Sequence, residues 1–189
     1  MVFAHDTEEA LRAASALVNT ANPDEGLPDV PALDRFFVAQ GWSGAHERTE
    51  AGLRSVHELR GRLRRLWDAD EDEVAGTVNA LLREAHALPQ LVRHDGSPWH
   101  LHATSPDAPL ATRMAVEAAM ALADVVRTGE LGRLRVCTFE DCGNVFVDLS
   151  KNRSKRFCDG SCSNRSAVGA YRARRRSAGP AGSKGSQKL

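Results

Sequence analysis

The apolar residues of the first 130 positions recur mostly at the three- and four-residue spacing of amphipathic helices. Over residues 46–67 this apolar stripe is clear, and basic residues fall largely on the opposite side of the predicted helix. The stripe consists of Leu53, Val56, Leu59, Leu63 and Leu66, and the basic residues are Arg60, Arg62, Arg64 and Arg65. The first part of the chain is therefore predicted to be mainly helical.

The same periodicity predicts four further helices in this part of the chain. The first begins near Asp6, where Glu9 completes a capping box, and continues to about Val18. Asparagine, glycine and three prolines end it over residues 19–31, which we interpret as an ordered loop or a linker turn. The other three helices are expected at residues 31–39, about 71–87 and 106–127.

Residues 90–104 break the helical pattern. Two short alternating runs flank Asp95-Gly96, a strong signal for a hairpin turn. His100 and His102 would share one face of the second strand, a spacing that two metal ligands could use; alternatively, both meet water on a half-exposed hairpin. The expected fold class is mainly α with a small α+β part, in which the helical N-terminal domain contains one β-hairpin.

The charged residues divide the chain into two parts. Residues 131–189 hold 13 Lys and Arg against 4 Asp and Glu, a net charge of +9, whereas residues 1–130 carry −9. All four cysteines lie in the second part and all seven histidines in the first. We therefore expect a helical domain at 1–130, a basic cysteine module at 131–176 and a small, polar, disordered tail at 177–189.

The composition favours a folded, soluble protein. Hydrophobic residues make up 42% of the chain and charged residues 26%, which is typical of globular domains rather than disordered ones. No secretory signal is visible, and the most apolar window, 109–126, contains Arg113, Glu117 and Asp124, so we interpret it as a buried helix and not a membrane span. We expect a cytoplasmic protein without a membrane partner.

The cysteines form the pattern C-x4-C-x15-C-x3-C, at Cys137, Cys142, Cys158 and Cys162. Two close pairs at this separation are typical of a four-thiolate Zn²⁺ site, and four sulfur ligands leave no open position, so the zinc would be structural. The segment between the pairs should fold back as a hairpin, with a strand at 145–150, and the last pair should open a helix; this order describes a treble-clef finger. Two disulfides or metal-free buried cysteines are the alternatives, and the reducing cytosol disfavours the former.

Basic residues surround this cysteine module. In a helix over 161–176, Arg165, Arg172 and Arg176 form one stripe with Arg175 beside it, while Ala167, Ala170 and Tyr171 face another way and could pack on the module. The far end of the predicted hairpin adds Lys151, Arg153, Lys155 and Arg156. These residues match the electrostatic signature of a nucleic-acid binder. A merely solvated face and an anionic membrane are the alternatives, and the latter would need bulkier apolar side chains opposite the charge.

The stretch from Cys137 to about Arg176 resembles the bacterial CGNR zinc-finger family, named for a Cys-Gly-Asn-Arg motif at its last zinc ligand. The motif stands here as Cys162-Ser163-Asn164-Arg165, with serine in place of glycine. Residues 16–37, "ALVNTANPDEGLPDVPALDRFF", resemble the helical ABATE domain that accompanies this finger. The resemblance implies a stress-related transcription regulator in which the cysteines bind zinc and the basic helix faces DNA.

The helical domain offers one candidate ligand site. Asn19, Thr20 and Arg35, together with Trp42, lie at or near predicted helix ends, where their polar groups could converge on a small molecule. Ordinary turn chemistry at a helix C-terminus explains Asn19 and Thr20 equally well. We find no nucleophile elbow, phosphate-binding glycine loop or HExxH motif, and predict that the protein is not an enzyme.

The leading hypothesis is a DNA-binding transcription regulator, located in the cytoplasm at the nucleoid, whose helical domain senses a small-molecule effector or forms a homodimer. One alternative is a zinc-dependent RNA- or ribosome-associated protein. A third class, an enzyme in the helical domain with the finger as an accessory, would need a pocket with convergent ionisable groups, and the sequence shows no such set.

Overall fold

The computed structural model describes residues 2–93 and 99–177, and these ranges are mainly helical. Their six helices are α1 (His5–Asn19), α2 (Val30–Ala39), α3 (Glu50–Arg65), α4 (Glu71–Glu84), α5 (Leu110–Arg127) and α6 (Gly160–Ser177). Two antiparallel strand pairs join β1 (Gln90–Val92) to β2 (His100–His102) and β3 (Leu134–Val136) to β4 (Val145–Val147). The predicted fold class, mainly α with a small β part, is confirmed.

Helix α5 is the centre of the hydrophobic core. It packs against α1, α3 and α4, and its alanines allow these neighbours to approach closely. Leu122 and Val125 are fully buried, and Ala119 between the neighbouring helices is equally inaccessible. The apolar window of the sequence is therefore an interior helix, and within the described ranges no helix combines the length and apolarity needed to cross a membrane.

Among helices α1 to α5, side-chain caps fix the starts of three. Asp29 and Thr49 accept hydrogen bonds from backbone amides at the first turns of α2 and α3, and Asp70 forms a full capping box with Glu73 at α4. The capping box predicted for α1 is wrong. Helix α1 begins after Ala4 without a side-chain cap, and Glu9 instead pairs with Arg12 at 2.6 Å.

Arg60 on α3 is buried, although the helical pattern predicts that it lies on the solvent side. Its guanidinium donates to both carboxylate oxygens of Glu25, at 2.7 and 2.5 Å, and to the hydroxyl of Thr20 at 3.0 Å. The Arg60 hydrogen bond lowers the pKa of Glu25 to about 2. The loop at 19–31 therefore folds over this part of α3 and holds it by an ion pair.

The predicted hairpin is present in the described strands. β1 and β2 pair with Leu91 opposite Leu101, and a bond from the Leu88 amide to the Ala103 carbonyl extends the pairing. The Asp95-Gly96 turn lies outside the described residues. So does the predicted tail at 177–189, apart from Ser177, which is the last residue of α6.

The cysteine module shares its hydrophobic core with the helices. Strand β4 packs against α1, and Leu134, Val145 and Val147 belong to the same buried cluster as the side chains of α5. The strand expected at 145–150 is shorter and pairs with β3, which precedes the first cysteine and has no counterpart among the sequence predictions. The segment between the cysteine pairs thus pairs with an earlier strand rather than with itself, and the treble-clef assignment stays a prediction.

Candidate metal centre and nucleic-acid interface

Three short segments bring the four cysteines together. Cys137 follows β3, Cys142 precedes β4, and Cys158 and Cys162 lie just before and within the first turn of α6. The Sγ of Cys162 lies 3.5 Å from that of Cys142 and 3.7 Å from that of Cys158, and Cys142 and Cys158 are 3.6 Å apart. All four sulfur atoms lie within 4.8 Å of one another.

These distances fit a tetrahedral zinc ion. Zinc–sulfur bonds of about 2.3 Å place ligand sulfurs about 3.8 Å apart, close to the separations in this cluster. A disulfide requires an S–S distance of about 2 Å, and all four cysteines are free. The geometry therefore favours the zinc interpretation over the disulfide alternative.

Backbone hydrogen bonds shape the loop that carries the first cysteine pair. The Cys137 amide donates to the Asn144 carbonyl at 2.8 Å, and the Cys142 amide donates to the Phe139 carbonyl at 3.0 Å. Gly143 has a φ of +67°, in the left-handed region that glycine adopts without strain. The tight loop directs both thiols to the same side.

Asp159 caps the helix that carries the last ligand. Its carboxylate accepts from the Cys162 amide and the Ser161 hydroxyl, both at 2.8 Å, and the bond from the Cys162 amide lowers the pKa of Asp159. The cap fixes the first turn of α6, and so fixes where Cys162 enters the cluster.

Burial opposes ionisation at three of the four cysteines. Burial raises the pKa of the Cys158 thiol, and hydrogen bonds with Cys142 and Cys162 add to the effect; burial likewise raises the pKa of Cys142. At Cys137 burial opposes ionisation, but the backbone amides of Cys158 and Phe139 outweigh it, so the pKa is lowered. A divalent ion would stabilise all four thiolates and bind them together.

Arg165 contacts the metal cluster directly. Its guanidinium donates to the Cys162 sulfur at 3.4 Å and lies over the Phe139 ring, 4.5 Å from the centroid. The bond with Cys162 raises the pKa of Arg165. Because a zinc ion with four thiolates carries a net charge of −2, this guanidinium is placed to balance part of it. Whether Arg165 also contacts nucleic acid stays a prediction.

The other predicted nucleic-acid contacts are exposed, and several lie against aromatic rings or an acid. Arg153 pairs with Glu130 at 2.8 Å, and Lys155 lies over the Phe146 ring at 5.0 Å. Arg156 and Arg175 lie over Phe157 and Tyr171, at 5.7 and 6.0 Å. Lys151, Arg172 and Arg176 are exposed as well.

A buried carboxylate orders the loop between β4 and α6. Asp148 is fully buried and accepts from the backbone amides of Ser150 and Lys155, both at 2.9 Å. These bonds fold residues 148–155 back toward the strands, and they hold the loop that carries Lys151, Arg153 and Lys155 in place.

Helix α6 extends away from the rest of the protein. Ala167 and Ala170 are exposed, and Tyr171 is 54% exposed, so the prediction that this face packs on the module is wrong. Small side chains offer little area to bury, and Val168, 47% exposed, adds little more. From Ser163 to Arg176 the side chains are exposed, except for Ser166, which is half-buried.

Three residues of the helical part hold the cysteine module by its backbone. The side-chain amide of Asn19 donates to the Val145 carbonyl at 2.9 Å and accepts from the Val145 amide at 2.8 Å. The Trp67 indole donates to the Phe146 carbonyl at 3.1 Å, and the Asn22 amide donates to the Cys142 carbonyl and to Asn144. The sequence does not predict this contact, and its only signal there is the group of polar residues Asn19, Thr20 and Asn22 at and after the end of α1.

The residues predicted to form a ligand site make separate contacts. Asn19 bonds to Val145, Thr20 donates to the Leu17 carbonyl at 2.6 Å and accepts from Arg60, and Arg35 is exposed on α2. The Trp42 indole nitrogen is buried and has no hydrogen-bond partner among the described residues. A ligand role for Asn19, Thr20 and Arg35 stays a prediction.

The histidine pair of β2 is close, and among the described residues it does not belong to a group of three candidate metal ligands. The Nε2 atoms of His100 and His102 lie 3.1 Å apart, and both side chains are half-buried. Among the described residues, the four cysteines form the only group of three or more candidate ligands near enough to share a metal. The two-histidine site stays a prediction.

Fold and site together define a helical protein fused to a compact four-cysteine module with a projecting basic helix. Among known families, residues 11–129 match ABATE, described as "Putative stress-induced transcription regulator", and residues 133–175 match the CGNR zinc finger. The chain belongs to the ABATE family and carries a CGNR zinc finger. None of the curated proteins matches it.

The family match and the sulfur geometry together confirm the predicted Zn²⁺ cofactor. Both family descriptions name a regulator or a zinc finger, and neither names a catalytic activity. The boundaries at residues 130 and 176 stay a prediction.

Proposed function

We propose that the chain is a DNA-binding transcription regulator in which the zinc module presents α6 to DNA. The observation that carries the proposal is a helix with five arginines, no acidic residue and no packed face beyond its first turn. A helix is rarely stable without burying one face, so α6 is best explained by a partner that covers it, and its charge selects a polyanion.

The arrangement suits a nucleic-acid groove. The major groove of DNA admits an α-helix, and phosphates would meet the stripe of Arg165, Arg172 and Arg176, while Val168 and Tyr171 could contact sugars or base edges. The loop residues Lys151 and Arg156 would add phosphate contacts beside the helix. Such a role would place the protein in the cytoplasm, at the nucleoid.

A salt titration tests the proposal with full-length, zinc-loaded protein and genomic DNA fragments. If four phosphates are contacted, affinity should fall about 100-fold between 50 and 200 mM salt. The double variant Arg172→Ala with Arg176→Ala should weaken binding and flatten the salt dependence. Arg54→Ala with Arg127→Ala, two exposed arginines of the helical part, is the matched control and should bind as the wild type does. Salt-independent binding, or equal affinities of the two double variants, would reject the proposal.

RNA is the competing partner. Because the deep, narrow major groove of A-form RNA excludes an α-helix, the projecting geometry of α6 favours DNA. In a competition between duplex DNA and an RNA hairpin of equal length, DNA should displace RNA. Preferential retention of the RNA would support a zinc-dependent RNA-binding function instead.

Dimerisation is the better supported role for the helical part. Leu88, Leu91, Trp99 and Leu101 on the β1–β2 hairpin are 72, 67, 63 and 43% exposed. Leu91 and Leu101 are opposite each other and share one face of the strand pair, so a two-fold contact between hairpins would bury apolar side chains of both copies. A partly open cavity beside Trp42 measures about 10 Å³, far too small for an effector, whereas a more open cleft lined by Arg65, Asp68 and Thr77 measures about 570 Å³.

Light scattering over a range of protein concentrations tests this dimer. The wild type should be a dimer, and Leu91→Glu should shift it to a monomer, because the two-fold contact would bury an unpaired charge. Val38→Glu, at an equally exposed apolar position of α2, is the control. A wild type that stays monomeric would reject the hairpin dimer.

A further inference from the structure

The contact between the helical part and the cysteine module reaches the metal ligands themselves. Asn22 lies in the loop after α1, and its Nδ2 donates to the Cys142 carbonyl and, at 2.7 Å, to the Oδ1 of Asn144. A Cβ atom added at Gly143 would lie 3.3 Å from this same nitrogen. The Asn22 amide therefore closely contacts the loop that holds the first cysteine pair.

Asn144 continues this contact to a second cysteine. With its Oδ1 held by Asn22, the amide of Asn144 has its Nδ2 3.9 Å from the Cys158 sulfur, in hydrogen-bonding orientation. An N–H group directed at a thiolate stabilises its charge and fixes its orientation, and such outer contacts tune metal affinity. Asn22 thus acts on Cys142 through the backbone and on Cys158 through Asn144.

The neighbouring bonds make this contact rigid. Asn19 holds both polar groups of the Val145 backbone, and Trp67 holds the Phe146 carbonyl. Three consecutive residues, 144–146, are therefore bonded to side chains of the helical part. The cysteine module cannot change the path of this strand without breaking these bonds.

We propose that Asn22 is a positioning residue of the zinc centre, so that the helical part and the metal site are energetically coupled. Zinc binding then stabilises the bonded arrangement of the helical part. Because coupling between two sites is reciprocal, a conformational change at the end of α1 alters zinc affinity by the same factor by which zinc binding alters the equilibrium of that change. The proposal concerns zinc alone and is independent of whether α6 binds DNA.

Zinc affinity of the full-length protein, measured by competition with a chromophoric chelator, tests the proposal. Asn22→Ala should weaken zinc binding about tenfold, the lower end of the effect of losing an outer contact. Asn152→Ala, an exposed asparagine of the same module, is the matched control and should bind as the wild type does. Asn22→Asp keeps the size of the side chain but cannot donate, so it should also weaken zinc binding. This variant tests the proposal if the alanine variant does not fold.

A double-mutant cycle separates positioning from a general loss of structure. If Asn22 acts largely through Asn144, the variant carrying both Asn22→Ala and Asn144→Ala should bind zinc little more weakly than Asn144→Ala alone. The thiolate-to-metal absorption of the Co²⁺-loaded Asn22 variants should shift, because the orientation of Cys158 changes. Wild-type zinc affinity in both Asn22 variants, or fully additive losses with an unchanged Co²⁺ spectrum, would overturn the proposal.

Discussion

Helices α5 and α6 have the same length, 18 residues, and opposite surroundings. α5 buries ten side chains among three neighbouring helices, whereas from Ser163 to Arg176 the side chains of α6 are exposed except for half-buried Ser166. Apolar burial stabilises the first. The second depends on an aspartate cap and a cysteine ligand at one end, so the same secondary structure is stabilised by packing in one region and by local chemistry in the other.

Zinc removal should affect α6 most. Structural zinc contributes about 10–16 kcal/mol in zinc-finger peptides, and α6 has little else to order it. A chelator, or Cys162→Ser, should abolish the far-UV circular dichroism contributed by α6, while the bundle around α5 still unfolds cooperatively at a lower temperature. Ser163→Ala, at an exposed neighbouring position, should change neither signal. An unchanged circular dichroism spectrum after complete zinc removal would contradict the inference that the zinc site orders α6.

Truncating a side chain in each helix should give very different losses of stability. Leu122→Ala in α5 should lower the free energy of unfolding by about 3 kcal/mol, because it leaves a cavity at a fully buried site. Val168→Ala in α6 should change it by less than about 0.5 kcal/mol. Urea denaturation of both zinc-loaded variants measures the difference, and comparable losses would show that α6 is packed after all.

The loop between the first two cysteines should tolerate a methyl group poorly. Gly143→Ala would force a left-handed conformation that costs alanine about 1 kcal/mol and would crowd the Asn22 amide. We expect a lower unfolding temperature and weaker zinc binding. Gly132→Ala, where a Cβ meets open space, is the control, and equal behaviour of the two variants would contradict the assigned geometry.

The ion pair of Glu25 and Arg60 should give a small acid dependence. The pKa of Glu25 is depressed to about 2, so its stabilising effect is present above the ordinary value near 4.5 and is lost as pH falls toward 2. The partly exposed carboxylate limits the effect to less than about 1 kcal/mol. The free energies of unfolding of the wild type and Glu25→Gln, followed from pH 5 to pH 2, should converge at the acid end. A constant difference between the two proteins would be inconsistent with the ion pair.

The sequence predicted features that depend on nearby residues. Periodicity located α5 because its apolar residues recur over five turns, and the cysteine spacing predicted a cluster whose sulfur atoms do meet. The ends of α3, α4 and α5 differ from expectation by up to four residues, because local features such as the Thr49 cap set where a helix begins.

Contacts between distant segments could not be predicted. Asn19 and Val145 are 126 residues apart, and no local pattern indicates that a helix end will bind a strand of the cysteine module. The burial of Arg60 depends on the loop at 19–31, whose Glu25 contacts it from 35 residues away. Strand β3 has only three residues, too few to give a periodic signal. A single sequence records which face of a helix is apolar but not which remote side chain covers its polar face.

The anchoring of α6 at one end has a mechanical consequence. From Cys162 to Arg176 the helix rises about 21 Å, at about 1.5 Å per residue. A tilt of only about 10° at the anchored end therefore moves the far arginines by almost 4 Å, which is slightly more than the rise between base pairs, about 3.4 Å. If α6 binds DNA as proposed, the stiffness of one short loop around the metal would set the register in which the far end of the helix meets the base pairs.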